Sequence, residues 1–150
     1  AIAIDTTFED KTVDNFKKIL DTNLIGTFTM CKYASKIMDK GQIINIASTN
    51  GVDSMYVESL DYDASKAGVI NLTHNLASYF APNIRVNCIC PGWINSDMNK
   101  DLDINYKKEE ENKILLGKFA SIDDMASDIY NISLCSYLND AIIKIDGGRK

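Results

Sequence analysis

Between Val13 and Met38 the apolar residues recur every three or four positions: Val13, Phe16, Ile19, Leu20, Leu24, Phe28, Cys31, Ala34, Ile37 and Met38. That spacing puts them on one face of an α-helix. It predicts a helix over about 12–39, capped by Thr12, with Asp14 in its first turn and Gly41 as its stop. Asn23 and Gly26 near the middle invite a bend. The pattern then changes. Residues 42–47 are apolar at nearly every position, as in a parallel strand buried on both faces. The polar stretch 49–60 reads as a loop. Helical spacing returns from Asp61 or Tyr62 to Phe80, through Ala67, Val69, Ile70, Leu72, Thr73, Leu76 and Ala77, and Pro82 ends it. Ile84–Cys90 reads as a second strand, broken by Pro91-Gly92. Residues 93–118 are polar and charged, with the run Lys107-Lys108-Glu109-Glu110-Glu111. They read as a long functional loop holding one short helix. A helix over 122–138 and a strand over 141–145 follow, closed by the turn Asp146-Gly147-Gly148.

Helix and strand thus alternate three times, which predicts one α/β domain over 1–150 with parallel strands and right-handed helical crossovers. The first strand would be left with one bare edge, so further strands are expected beside it. The chain opens at Ala1 inside an apolar alternation and without an initiator Met, and it reads as a piece of something longer. No apolar run approaches the roughly 20 residues of a membrane span, and no signal sequence opens the chain, so no membrane association is expected. A net charge of −5 argues against a nucleic-acid partner. Cys31, Cys88, Cys90 and Cys135 show no C-x-x-C spacing, and the one histidine, His74, is distant from them in sequence. No metal site is expected. Reduced thiols in a cytoplasmic protein are.

The candidate chemistry lies in Ile43–Gly68. Ser48 follows the first strand, at the carboxyl end where open α/β sheets place their ligands. Tyr62 and Lys66 stand at i and i+4 where the second helix begins, on one face. A hydroxyl, a phenol and an ammonium at one mouth outline a proton-transfer site. A free phenol titrates near pKa ~10, too high for efficient exchange near neutrality. The neighbouring cation is expected to favour phenolate and lower that value. Singly, each residue has a plain structural reading: a helix-start aromatic, a solvated lysine, a strand-end serine. His74 with Ser48 would suggest a hydrolase, but Ser48 lacks the G-x-S-x-G elbow.

Taken together, Asn23-Leu24-Ile25-Gly26, Ile44-Asn45-Ile46-Ala47-Ser48, Tyr62-Asp63-Ala64-Ser65-Lys66-Ala67-Gly68, Arg85-Val86-Asn87, Pro91-Gly92 and Asp146-Gly147-Gly148 resemble the classical short-chain dehydrogenases/reductases, in order and over nearly the whole chain. The resemblance implies a doubly wound parallel-sheet Rossmann fold, of which this chain supplies the last three strands and their helices. It also implies NAD(P)-dependent interconversion of a ketone and an alcohol, with NAD or NADP as cofactor. Tyr62 would exchange the proton, and Lys66 would tune Tyr62 and bond the nicotinamide ribose. Ser48 would hold the substrate oxygen, and Asn23 would support a relay water reaching Lys66. Pro91, Gly92, Ile94 and Ser96 would line the nicotinamide; the family more often has threonine at the place of Ser96. Trp93 is either part of the substrate wall or simple packing. The family's G-x-x-x-G-x-G pyrophosphate loop is not among the 150 residues. They are not expected to bind a dinucleotide well alone. The resemblance implies a small carbonyl or alcohol substrate, between 49–60 and 95–113. It further implies a homo-dimer or homo-tetramer through the two long helices, whose outward residues would include Phe28, Val69, Leu72 and Phe80. A non-catalytic dinucleotide sensor and a lyase or epimerase with the same tyrosine and lysine are the alternatives.

Overall fold

The computed structural model describes residues 1–150. Three parallel strands form one sheet in the order β1 (Gly41–Ile46), β2 (Ile84–Pro91), β3 (Ile142–Ile145). Helix α1 (Val13–Leu20) and helix α2 (Gly26–Ala34) precede β1. Helix α3 (Leu60–Phe80) crosses from β1 to β2, and α4 (Ile104–Asn112) and α5 (Ile122–Ser133) lie between β2 and β3. β2 is central, and every residue of it but Arg85 is buried. The core gathers Ala47, Val69, Cys88 and Cys90, with Leu24, Ile70 and Ile142 packed against them. Val69 is therefore a core residue and not an outward one. The i+3 and i+4 steps of α3 point it at the sheet, where burial of such a side chain stabilises by about 2 kcal/mol.

Two helices depart from the expected lengths. The long first helix is divided by a π-helical turn, Asp21–Ile25. Thr27 and Thr29 donate their hydroxyls to the carbonyls of Asn23 and Ile25, both at 2.7 Å. Such back-bonding competes with the helix ladder and bends it. α2 then stops at Ala34 and not at 39, and Ile37 stands almost fully in solvent with no apolar contact to hold another turn. α5 ends at Ser133 and not at 138. Side chains from the sheet take the carbonyls that would have continued it: Gln42 takes that of Ser133, and Arg85 those of Cys135 and Leu138. β1 pairs with β2 along one edge and with no strand along the other.

Asn45, near the carboxyl end of β1, is buried and satisfied. Its amide nitrogen donates to Thr73 Oγ1 at 2.9 Å, and its oxygen accepts from Cys31 Sγ at 3.3 Å. His74 is exposed and pairs with Asp140, with 2.6 Å between Nδ1 and Oδ1, a surface contact. All four cysteines are free, and only Cys135 is exposed.

Candidate active site

The carboxyl ends of β1 and β2 and the first turn of α3 enclose a cavity of about 410 Å³. Ser48, Tyr62 and Lys66 line it, as do Pro91, Gly92, Ile94 and Ser96. Ser48 Oγ accepts the Asn50 N–H at 3.2 Å and so caps a short 3-10 turn, Thr49–Gly51. That turn lies flat on α3. A Cβ on Gly51 would stand 2.6 Å from the carbonyl carbon of Lys66. Only glycine permits the approach, and the approach brings Ser48 to the level of the tyrosine and lysine. Asp63 then pins the far part of the loop, accepting from Asn50 Nδ2 at 2.7 Å and from the Tyr56 N–H at 3.2 Å.

Lys66 is buried, and its ammonium donates to the Ile46 carbonyl at 2.9 Å. It lies over the Tyr62 ring, 5.5 Å from the centroid. Burial pushes the Tyr62 phenol above its ordinary pKa, and hydrogen bonding with Ser48 draws it back only in part. Burial likewise lowers the pKa of Lys66. The expected lowering of Tyr62 by Lys66 is thus not what the chain shows. The ammonium faces the ring and a carbonyl instead of the phenol oxygen, and desolvation outweighs the rest.

Asn23 stands in the π turn, buried, with its whole amide engaged. Its Oδ1 accepts the Ile2 N–H at 2.8 Å, and its Nδ2 donates to Ile2 O at 2.9 Å and to Ser65 Oγ at 3.1 Å. Ser65 Oγ donates in turn to the carbonyl of Tyr62 at 2.7 Å. Asn23 therefore braces the turn that carries Tyr62 from behind. It shares with Lys66, Ile46 and Ala1 a second recess of about 590 Å³.

On the other wall, Gly92 backs onto β3. A Cβ there would meet that of Asp146 at 2.8 Å. The Ile94 carbonyl is occupied by Ser96 N and Asn99 Nδ2, both at 2.9 Å. The Ile94 N–H and the Ser96 hydroxyl have no partner within the chain. An amide donor and a hydroxyl left free on the cavity wall suit a carboxamide, so these residues fit the nicotinamide end of a dinucleotide.

Residues 1–150 match the family model described as enoyl-(acyl carrier protein) reductase. The chain belongs to this family, the short-chain dehydrogenases/reductases. It is 34% identical over 140 residues to the 3-oxoacyl-(acyl-carrier-protein) reductase FabG of Aquifex aeolicus, a match covering 89% of this chain and 56% of that protein. It is 35% identical over 140 residues to carbonyl reductase family member 4 of Xenopus laevis, covering 90% and 57%. The solved structure of a 4-hydroxyisoleucine dehydrogenase complexed with NADH superposes with a TM-score of 0.87 at 32% identity, over 99% of this chain and 65% of that one. The fold is accordingly the doubly wound Rossmann fold of the short-chain dehydrogenases/reductases, with three of its strands in this chain. The chain spans little more than half the length of the curated relatives it matches.

In this short-chain dehydrogenase/reductase Tyr56, Trp93, Tyr106 and Arg149 line the same cavity as Tyr62, with Glu110 packed behind them, and sequence patterning did not single these residues out as a group. Glu110 of α4 is 1% exposed. Its Oε2 accepts from Tyr56 Oη at 2.6 Å, from Trp93 Nε1 at 2.8 Å and from Arg149 Nη2 at 2.6 Å, and its Oε1 from Lys113 at 2.6 Å. Burial alone would raise this carboxyl. The donors and the guanidinium charge more than offset that and hold it down to about 2. Tyr56, half-buried and beside the carboxylate, is pushed well above its ordinary value by desolvation and by its bond to Glu110. Trp93 is both packing and pocket wall: it stacks on Phe119 with centroids 5.1 Å apart, and it lines the cavity. No helix of the chain is long and apolar enough to cross a membrane.

Proposed function

We propose that the chain, as a single domain over 1–150, carries the catalytic side of an NAD(P)-dependent oxidoreductase that interconverts a ketone and its alcohol. One observation carries this reading: Ser48, Tyr62 and Lys66 meet in one cavity whose facing wall offers the free Ile94 N–H and Ser96 hydroxyl. Bound NADH or NADPH supplies a hydride to the carbonyl carbon, or takes one from the alcohol when oxidised. Ser48 donates a hydrogen bond to the substrate oxygen and holds it beside Tyr62. Burial keeps the phenol protonated near neutrality, so in the reducing direction Tyr62 holds the proton that it must give to that oxygen. Lys66, fixed by the Ile46 carbonyl, would offer its remaining N–H bonds to the ribose and would stabilise the phenolate left behind. Asn23 positions the turn below Tyr62, and the recess it shares with Lys66 has room for a water returning the proton. Pro91 and Gly92 set the wall on which Ile94 and Ser96 stand. The buried free thiols suit a cytoplasmic setting. The names of the relatives, oxoacyl and carbonyl reductases among them, support a small carbonyl or alcohol as substrate. The exposed apolar residues of α2 support a homo-dimer or homo-tetramer.

The test is consumption of NADH and of NADPH by the full-length protein across a panel of ketones. Steady oxidation of one cofactor by at least one ketone is expected. Cofactor binding without turnover would establish the sensor alternative, and net conversion with no change in cofactor would establish a lyase or epimerase.

A further inference from the structure

Lys11 lies outside every motif of the chain, yet its side chain is only 4% exposed. Its ammonium spends its N–H bonds on acceptors from three segments: the Ile4 carbonyl at 2.5 Å, the Glu58 carbonyl at 3.0 Å and Asp61 Oδ1 at 3.0 Å. Each acceptor adjoins the cavity, which Lys11 itself does not line. Ala3 and Asp5, on either side of Ile4, line it, Glu58 lines it, and Asp61 precedes Tyr62. Two further bonds join the same segments, from the Thr6 N–H to the Glu58 carbonyl at 3.2 Å and from Ser59 Oγ to Asp5 Oδ1 at 2.6 Å.

Asp61 is fully buried in the first turn of α3. Its Oδ1 accepts from Lys11 and also from the Tyr62 N–H, at 3.0 Å. Its Oδ2 is buried and has no partner. An ion pair with half of its carboxylate unsatisfied is a poor source of stability, because desolvating the two charges offsets their attraction. What such a pair does supply is a fixed geometry, and here it is fixed one hydrogen bond from the Tyr62 backbone. The Tyr62 carbonyl is held in the same way, by Ser65. Both backbone polar groups of Tyr62 are thus engaged by buried side chains, Asp61 and Ser65. Each of these is tied to a residue ahead of β1, Asp61 to Lys11 and Ser65 to Asn23.

We propose that Lys11 and Asp61 are positioning residues of the reaction: their ion pair sets the first turn of α3, and with it the place of the Tyr62 phenol beside Ser48. The inference rests on the reductase reading, in which Tyr62 gives the proton. Neither residue lines the cavity, so neither touches the substrate. The pair acts on proton transfer and not on binding, because Lys66, Ile94 and Ser96 have supports of their own.

Removing one partner alone strands a buried charge, so the test is the double variant Lys11→Met with Asp61→Leu. It removes both charges at similar volume and is expected to keep a Tm close to the original. The full-length protein is used with NADH or NADPH and a ketone that it reduces, well below either Tm. kcat is expected to fall by about 10- to 100-fold, since displacing a reacting group by about 1 Å costs on the order of 10²-fold. KM for the ketone and Kd for the cofactor are expected to stay within about 3-fold of their original values, as for an effect confined to the chemical step. Deuterium uptake is expected to quicken by about 10-fold or more over residues 58–66 and to stay unchanged over 70–80. A double variant with the original kcat would overturn the inference, whatever its Tm. So would a loss carried by KM, unchanged uptake over 58–66, or failure to fold, which would mark the pair as a stabiliser only. If the original protein reduces no ketone, the reductase reading fails, and the uptake over 58–66 still decides whether the pair holds the turn of Tyr62.

Discussion

Glu110 ties three distant parts of the chain to one carboxylate. Tyr56, Trp93 and Arg149 lie 54, 17 and 39 residues away in sequence. Within the charged run 107–111 it reads as one more solvated glutamate, because nothing local distinguishes it from Glu109 and Glu111. The one local signal is that Tyr106 and Glu110 stand at i and i+4 of α4, and Tyr106 packs edge-on against Trp93 with centroids 6.3 Å apart. The consequence is a pH dependence with a definite sign. The folded carboxyl is held near 2 against an ordinary 4.5, so the folded state favours the charged form. Its contribution, on the order of 3 kcal/mol, is complete above the ordinary value and is lost as pH falls from there toward the folded one. Urea titrations should therefore show stability falling between about 4.5 and 2, with Glu110→Gln less stable at neutrality and flatter over that window. Equal slopes for the two proteins would show that Glu110 does not carry the effect. Lys66 teaches the complementary lesson. Its neighbourhood with Tyr62 was legible from spacing, but its electrostatic effect was not, because that depends on where the ammonium points and how dry the site is.

Among the elements, those with strong periodicity were the legible ones. The strands and α3 fall within a residue or two of the expected bounds, since β-rich apolar runs and an uninterrupted helical face leave little choice. The helix ends were not legible, because side chains from elsewhere set them: Arg85 and Gln42 stop α5, and threonine hydroxyls open the π turn. The turn at Thr49–Gly51 was likewise seen only as polar loop, yet its glycine sets the spacing between Ser48 and α3. Gly51→Ala places a methyl against the Lys66 backbone and must displace the turn. It is expected to cost about 1–3 kcal/mol, as other overpacking changes do, and to lower kcat/KM more than it lowers cofactor affinity. Thermal melts and steady-state kinetics read both. A variant with the original Tm and turnover would mean the turn is not held against the helix.

For the whole molecule, composition and alternation were enough for the fold class, and the linked motifs were enough for the family. The mouth of the sheet follows from topology: parallel strands put Ser48 and Pro91–Ser96 at the same end, so the sides proposed for proton exchange and for the nicotinamide meet without any local signal saying so. Of the outward residues expected on the two long helices, one lies inside the fold. Val69 belongs to the core, while Ile25, Phe28, Met30 and Tyr33 in and beside α2 are between 43% and 71% exposed. A face that apolar is the expected subunit contact. Phe28→Asp with Met30→Asp should reduce the sedimenting mass of the full-length protein to that of a smaller assembly, with helical content kept. An unchanged mass would place the contact elsewhere.

The central claim is that Tyr62 exchanges the proton, and Tyr62→Phe tests it most directly. The change removes the phenol oxygen and leaves the ring that lies under Lys66. In the full-length protein, with any ketone that it reduces, kcat should fall by roughly 10²–10⁴-fold, the usual contribution of a positioned general acid, while the Kd for NADH or NADPH stays within about 3-fold of its original value. Turnover undiminished in Tyr62→Phe would contradict the account.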